Sequence, residues 1–126
     1  MNVIFYSTIK DSIWKESQRE FEGVIPSKDK EVYRTIDSLS RRLHRSPFEG
    51  SIAVLFAATR EELSGLLSIR ELLLDLRIIL ILPDRKKDTI AVGHKLYPRF
   101  LTYVDSDFKN LAAVLEKMLK HGHPKE

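Results

Sequence analysis

The chain contains no cysteine. That excludes disulfides, thiolate nucleophiles, Cys-ligated zinc and iron–sulfur clusters together, and it fits a reducing compartment. Glycine-rich phosphate fingerprints are missing too, since neither G-x-G-x-x-G nor a Walker pattern occurs. No hydrophobic run is long enough to span a bilayer: Ile52 to Ala58 and Ile78 to Pro83 both stop far short. The first residues, Met1-Asn2-Val3-Ile4-Phe5-Tyr6, have no basic segment before their apolar run, which ends at Ser7. They are therefore not expected to act as a signal peptide. A cytoplasmic protein with no membrane partner is expected. Charge of one sign is not gathered anywhere either. The formal net charge is +3, with acidic residues mixed in throughout, whereas a nucleic-acid binder concentrates its cations on one face. Arg41-Arg42-Leu43-His44-Arg45 and Arg85-Lys86-Lys87 are short basic stretches that read as solvated helix or loop surface, so no nucleic-acid partner is expected.

What is present is one globular domain. A chain of 126 residues can bury one core, and 43% hydrophobic with 31% charged residues is wrong for a disordered segment. Asn2–Ser7 reads as a first strand, and Asp11–Gly23 as a first helix stopped by Gly23 and Pro26. Glu31–Ile36 is a second strand, the least apolar and so expected at an edge. Ile36, Leu39 and Leu43 follow at i, i+3, i+7 and predict a short helix ending near Arg45. Ser46-Pro47-Phe48-Glu49-Gly50 is a turn. Ser51–Ala58 is apolar without alternation, the pattern of a strand covered on both faces. Thr59-Arg60-Glu61-Glu62 is a capping box that opens a Leu-rich helix running to about Asp75. Arg77–Leu82 is a fourth strand, Asp88–Leu96 a short helix weakened by Gly93, and Phe100–Val104 a fifth strand. Asp105-Ser106-Asp107 caps a last helix with a clean apolar stripe from Phe108 to Leu119. Residues 1–121 are expected to form the domain and 122–126 a frayed polar tail.

Short connections and uniformly apolar inner strands require parallel strands with helices on both faces. The fold class is thus α/β, a single doubly wound five-stranded parallel sheet. Right-handed crossovers favour the flavodoxin-like order 2-1-3-4-5.

The stretch from Ile52 to Leu119 resembles the second half of a response-regulator receiver. The buried strand, the Leu-rich helix carrying Ile69-Arg70, the very apolar strand after it and Thr102-Tyr103-Val104-Asp105-Ser106-Asp107-Phe108 carry the likeness. The resemblance implies an aspartyl phosphoacceptor after the third strand, an acid pair after the first that helps hold Mg²⁺, a Ser or Thr after the fourth and a Lys after the fifth. This chain departs at all four places. It has Phe56-Ala57-Ala58-Thr59, Tyr6-Ser7-Thr8, Leu82-Pro83-Asp84, and Ser106 flanked by Asp105 and Asp107. Alanine has no nucleophile, and the aspartates would repel a phosphoryl dianion. Tyr103 remains at the place of the family's fifth-strand aromatic, although any half-buried edge strand favours Tyr there.

The expectation is a degenerate, non-enzymatic receiver that signals or scaffolds by protein contact in trans and is not regulated by aspartyl phosphorylation. Its partner is a protein, with a second copy of the chain as one form. Contact is expected at one of two surfaces, the first of which is equally read as covering a neighbouring helix. One is the surplus apolar side of the Leu-rich helix, at Ile69, Leu72 and Leu76. The other, carried over from the receiver likeness, includes Ile90 and Tyr103. The alternative is a small-molecule or nucleotide sensor binding at the carboxyl rim near Thr8, Thr59, Asp84 and Asp105. Ser7-Thr8-Ile9-Lys10-Asp11 has no glycine to cradle phosphate, so no flavin is expected, and no metal or other cofactor. Asp84, Asp105 and Asp107 read more simply as turn and cap residues than as cation ligands.

Overall fold

The computed structural model describes residues 3–7, 30–45, 52–104 and 108–121. The first helix expected at Asp11–Gly23, the turn at Ser46–Gly50, the cap at Asp105–Asp107 and the tail lie outside them. In chain order the elements are β1 (Val3–Tyr6), β2 (Lys30–Tyr33), α1 (Ile36–Arg45), β3 (Ile52–Phe56), α2 (Arg60–Ser68), α3 (Arg70–Leu73), β4 (Arg77–Leu82), α4 (Lys87–His94), β5 (Phe100–Tyr103) and α5 (Phe108–His121). The five strands form one sheet in the order β2-β1-β3-β4-β5. All four pairings are parallel, as the apolar inner strands require.

Period-two alternation divides the inner strands between two apolar clusters. Ile4, Tyr6, Ala53, Leu55, Ile78, Leu80 and Leu82 join Leu39 and Leu43 of α1, Leu63 and Leu66 of α2, and Leu73 of α3. Val3, Phe5, Ile52, Val54, Phe56, Ile79 and Ile81 join Leu111, Ala112 and Leu115 of α5. Every residue of β1 and β3 is buried, as is every residue of β4 after Arg77. Arg77 itself reaches α5, donating from Nη1 to the Met118 carbonyl at 2.7 Å. Among the described residues no helix is long and apolar enough to cross a membrane.

The edge strand β2 is shorter than its sequence suggests because Thr35 belongs to α1. The Thr35 hydroxyl accepts from Ser38 N at 3.0 Å, and its carbonyl accepts from Leu39 N at 3.1 Å. That is an N-cap, and it ends the strand. Polar β2 is tied down by a side-chain network. Arg42 of α1 makes a bidentate pair with Glu31, through Nε at 2.7 Å and Nη2 at 3.1 Å, and Tyr33 donates to Glu31 Oε1 at 2.6 Å. Both members of the ion pair are largely shielded from water, which strengthens charge-assisted bonds of this geometry.

The Leu-rich segment is not one helix. Ser68 donates from its hydroxyl to the Gly65 carbonyl, the acceptor an α-helix would give to Ile69 N. Ile69 N instead bonds Leu66 O at 3.2 Å, and Ile69 takes φ −112°, ψ 19°, outside the helical basin. A short second helix, α3, restarts at Arg70 and packs against α1. This break turns the expected sleeve of leucines back onto the core. Of the two readings of the surplus leucines, burial holds for Leu76, which is only 8% exposed and is a core residue, while Ile69 and Leu72 are partly buried against the same cluster. The side chain turned outward is Leu74, at 63% exposure.

Gly93 has a packing reason. A Cβ there would lie 3.1 Å from Leu82 Cδ2 and 3.2 Å from Leu80 Cδ2, so the missing side chain lets α4 lie close on β4. The sequence suggested a weak helix; the structure shows a close approach. Beyond α4, Tyr97 holds φ 53°, in the left-handed region that a helix stop normally gives to glycine.

Two stability tests follow. Leu76→Ala should cost about 2–5 kcal/mol, and Leu74→Ala less than about 0.5 kcal/mol, in urea unfolding. Equal losses would put Leu76 outside the core. Gly93→Val should destabilise by about 1–3 kcal/mol through overpacking against Leu80 and Leu82; no loss would mean that the contact yields freely.

Candidate functional site: the carboxyl rim

Open α/β sheets present their ligand sites at the carboxyl ends of the strands. Here that rim is formed by Ser7 after β1, Ala57-Ala58-Thr59 after β3, Pro83-Asp84 after β4 and Val104 after β5. Parallel pairing continues one residue past three of the strand ends. Ser7 N bonds Tyr33 O at 3.0 Å, Ala57 N bonds Ile81 O at 2.9 Å and Val104 N bonds Leu82 O at 3.0 Å. Ser7 and Ala57 are consequently wholly buried. The residue that follows β3 in the chain is thus a methyl group packed in the core.

The next ring of residues consists of helix starts. Thr59, with φ −139°, caps α2: its hydroxyl accepts from Glu62 N at 3.2 Å and lies 3.4 Å from Glu62 Oε2. The N-cap half of the expected capping box is formed, and the Glu62 carboxylate meets the Thr59 hydroxyl instead of the Thr59 amide. Asp84 Oδ1 accepts from Lys86 N at 2.9 Å, at the start of α4, and Asp88 Oδ1 accepts from Thr89 N at 3.0 Å. The chain's own carboxylates therefore occupy amides at the positive end of this helix. Arg60 of α2 reaches Asp88 of α4 at 3.0 Å and bridges the two helix starts.

These contacts set the ionisation of the rim. The nearby Thr89 hydroxyl, then the Lys86 amide and the charges of Lys86 and Arg60, hold the Asp84 carboxyl below the usual carboxylate range. Thr89 is wholly buried, and its hydroxyl makes no well-formed hydrogen bond. It acts on Asp84 as a nearby dipole, not as a tight donor. Arg60 likewise lowers the Asp88 carboxyl. Tyr6, 1% exposed at the end of β1, has its phenol pushed up to about 12 by burial and, secondly, by the negative charge of Glu62.

The sequence-named residues divide accordingly. Thr59 and Asp84 stand at the rim as capping and turn residues; Thr8 and Asp105 lie outside the described residues. Among the described residues no group of three His, Asp or Glu is placed to hold a metal ion. No protein-family model matches this chain, and no curated protein matches it significantly.

The other surface named from sequence is only partly exposed. Ile90 and Tyr103 both pack against the core, and the Arg85 guanidinium lies over the Tyr103 ring at 4.2 Å. That cation–π contact pins the aromatic of the edge strand to the β4–α4 loop. Residues the sequence reading passed over are Leu74 and Tyr97, the latter 77% exposed. Nothing in the sequence marks Tyr97, because many helices end without a left-handed residue.

Because the folded pKa of Tyr6 lies above its ordinary 10.0, the folded state holds the proton more tightly. Its contribution to stability is complete below pH 10 and should be lost as pH rises through about 12. Tyrosinate absorbance should show that late ionisation in the wild-type chain, and Tyr6→Phe should remove it together with its part of the alkaline destabilisation. If Tyr6→Phe leaves both unchanged, Tyr6 is not held in its neutral form by the fold.

Proposed function

We propose that this chain is a receiver-like domain that acts by protein contact, is not an enzyme and is not switched by aspartyl phosphorylation. The observation that carries this reading is the end of β3, where the family's chemistry needs a carboxylate and the chain has buried Ala57 followed by Ala58. Aspartyl transfer requires that nucleophile, and divalent-ion binding beside it requires further carboxylates. Asp84, the carboxylate that follows β4 on the same rim, has a structural task at the start of α4. The same arrangement weighs against the sensor alternative, since Asp84 and Asp88 occupy amides that an anionic ligand would use. Tyr103 under Arg85 suits a fixed contact residue better than a switching one.

Incubation with acetyl phosphate and Mg²⁺ should leave the intact mass unchanged. An adduct of one phosphoryl group on an aspartate would overturn the proposal. Photo-crosslinking in the native cell should capture a protein, and a bound nucleotide recovered in its place would favour the sensor.

A further inference from the structure

We infer that the cleft between α3 and the C-terminal end of α4 docks an acidic segment of a partner protein that carries an apolar side chain. The cleft lies away from the rim, towards the ends where β4 and β5 begin. It measures about 430 Å³ and is lined by Arg70, Glu71, Leu74, Lys95, Leu96 and Tyr97.

Three independent features converge there. The first is exposure. Val32, Leu74 and Tyr97 are the exposed large hydrophobic side chains among the described residues, and two of them, Leu74 at 63% and Tyr97 at 77%, line this cleft. Neighbouring apolar residues of the same segments, Leu72, Leu73 and Leu76, are turned inward. The second is strain. Tyr97 holds φ 53°, a conformation that suits glycine and disfavours a bulky aromatic. Folding gains little from a ring left so far in water, and residues held in such backbone regions gather at ligand clamps and functional sites.

The third is charge. Salt bridges among the described residues join Arg41 to Asp37, Arg42 to Glu31 and Arg60 to Asp88, which leaves both cations of the cleft outside ion pairs. Glu71 offsets one of them. The lining thus carries two cations and one carboxylate. The balance of this edge is positive, in a chain whose net charge is +3. Carboxylates of a partner would meet Arg70 and Lys95, while an apolar side chain would cover Leu74 and stack on Tyr97.

This inference rests on the protein-contact reading and gives it a surface and a partner chemistry. It can be tested with two synthetic peptides, one of Glu-Glu-Leu repeats and one with lysine in place of each glutamate, titrated into the isotope-labelled full chain. The acidic peptide should shift amide signals at residues 70–77 and 94–99, and added salt should weaken its binding. The lysine peptide should leave these signals unmoved. Tyr97→Gly relieves the backbone, so its melting temperature should be no lower than wild type, yet acidic-peptide binding should fall by about tenfold or more. Leu74→Ser should weaken binding with the fold intact, and Lys95→Glu should reverse the preference between peptides. Equal binding of both peptides, shifts confined to other surfaces, or full affinity in Tyr97→Gly would overturn the inference. So would a homodimer seen by sedimentation and lost in Tyr97→Gly, because a second copy would then fill the cleft. A native partner crosslinked through Ile90 or Tyr103 would sink the cleft alone and leave the protein-contact reading standing; a phosphoryl adduct would remove that reading.

Discussion

Parallel pairing of β3 with β4, apolar on both faces, is the constraint on which the other elements depend. Ile52 through Phe56 pair with Arg77 through Ile81, and side chains from each strand enter both apolar clusters. Such a ladder is stable only when each face is covered, because every side chain left in water forfeits about 1.5–3 kcal/mol of burial. That demand explains the behaviour of the neighbouring helices. The Leu-rich segment breaks at Ile69, which returns Leu73 and Leu76 to the cluster shared with Leu80 and Leu82. Gly93 gives up its side chain so that α4 can approach the same two leucines of β4.

The two ends of the sheet put their charges to different uses. At the carboxyl rim, charged groups are engaged within the chain: Asp84 and Asp88 with amides at the start of α4, Arg60 with Asp88, and Glu62 with its cap. A surface whose dipoles and carboxylates satisfy one another has less to offer an incoming anion. Around the cleft at the other end, Arg70 and Lys95 flank an exposed leucine and a strained, exposed tyrosine. The proposed contact function therefore concerns a region where folding has left groups unsatisfied, and not the place where the fold class usually carries its chemistry.

Much of this was legible in the sequence. Uniformly apolar Ile52–Ala58 and Ile78–Leu82 announce buried parallel strands, and the alternation of elements leads to the observed strand order. Thr59-Arg60-Glu61-Glu62 announces its own cap, which the structure forms with Thr59 and Glu62 as the spacing requires. At the rim, the two alanines that follow β3 can be read directly, and neither carries a carboxylate. Local signals of this kind depend on neighbours within four residues or on a single side chain's chemistry, so one dimension is enough to carry them.

What the sequence by itself determined is therefore the order of the strands, the burial of the inner ones and the side chains that follow them. Tertiary structure alone decided which leucines face outward. Leu72, Leu74 and Leu76 are chemically identical, and a continuous helix would have exposed a different set. A single hydroxyl, Ser68 on the Gly65 carbonyl, accompanies the break that changes the phase of every residue after it. Likewise, Gly93 looks like a flaw in a helix until Leu80 and Leu82, distant in sequence, are seen beneath it. The pairing of Tyr97 with Leu74 belongs to the same class. Leu74 follows α3 and Tyr97 lies beyond α4, and only the tertiary packing brings their side chains to one cleft.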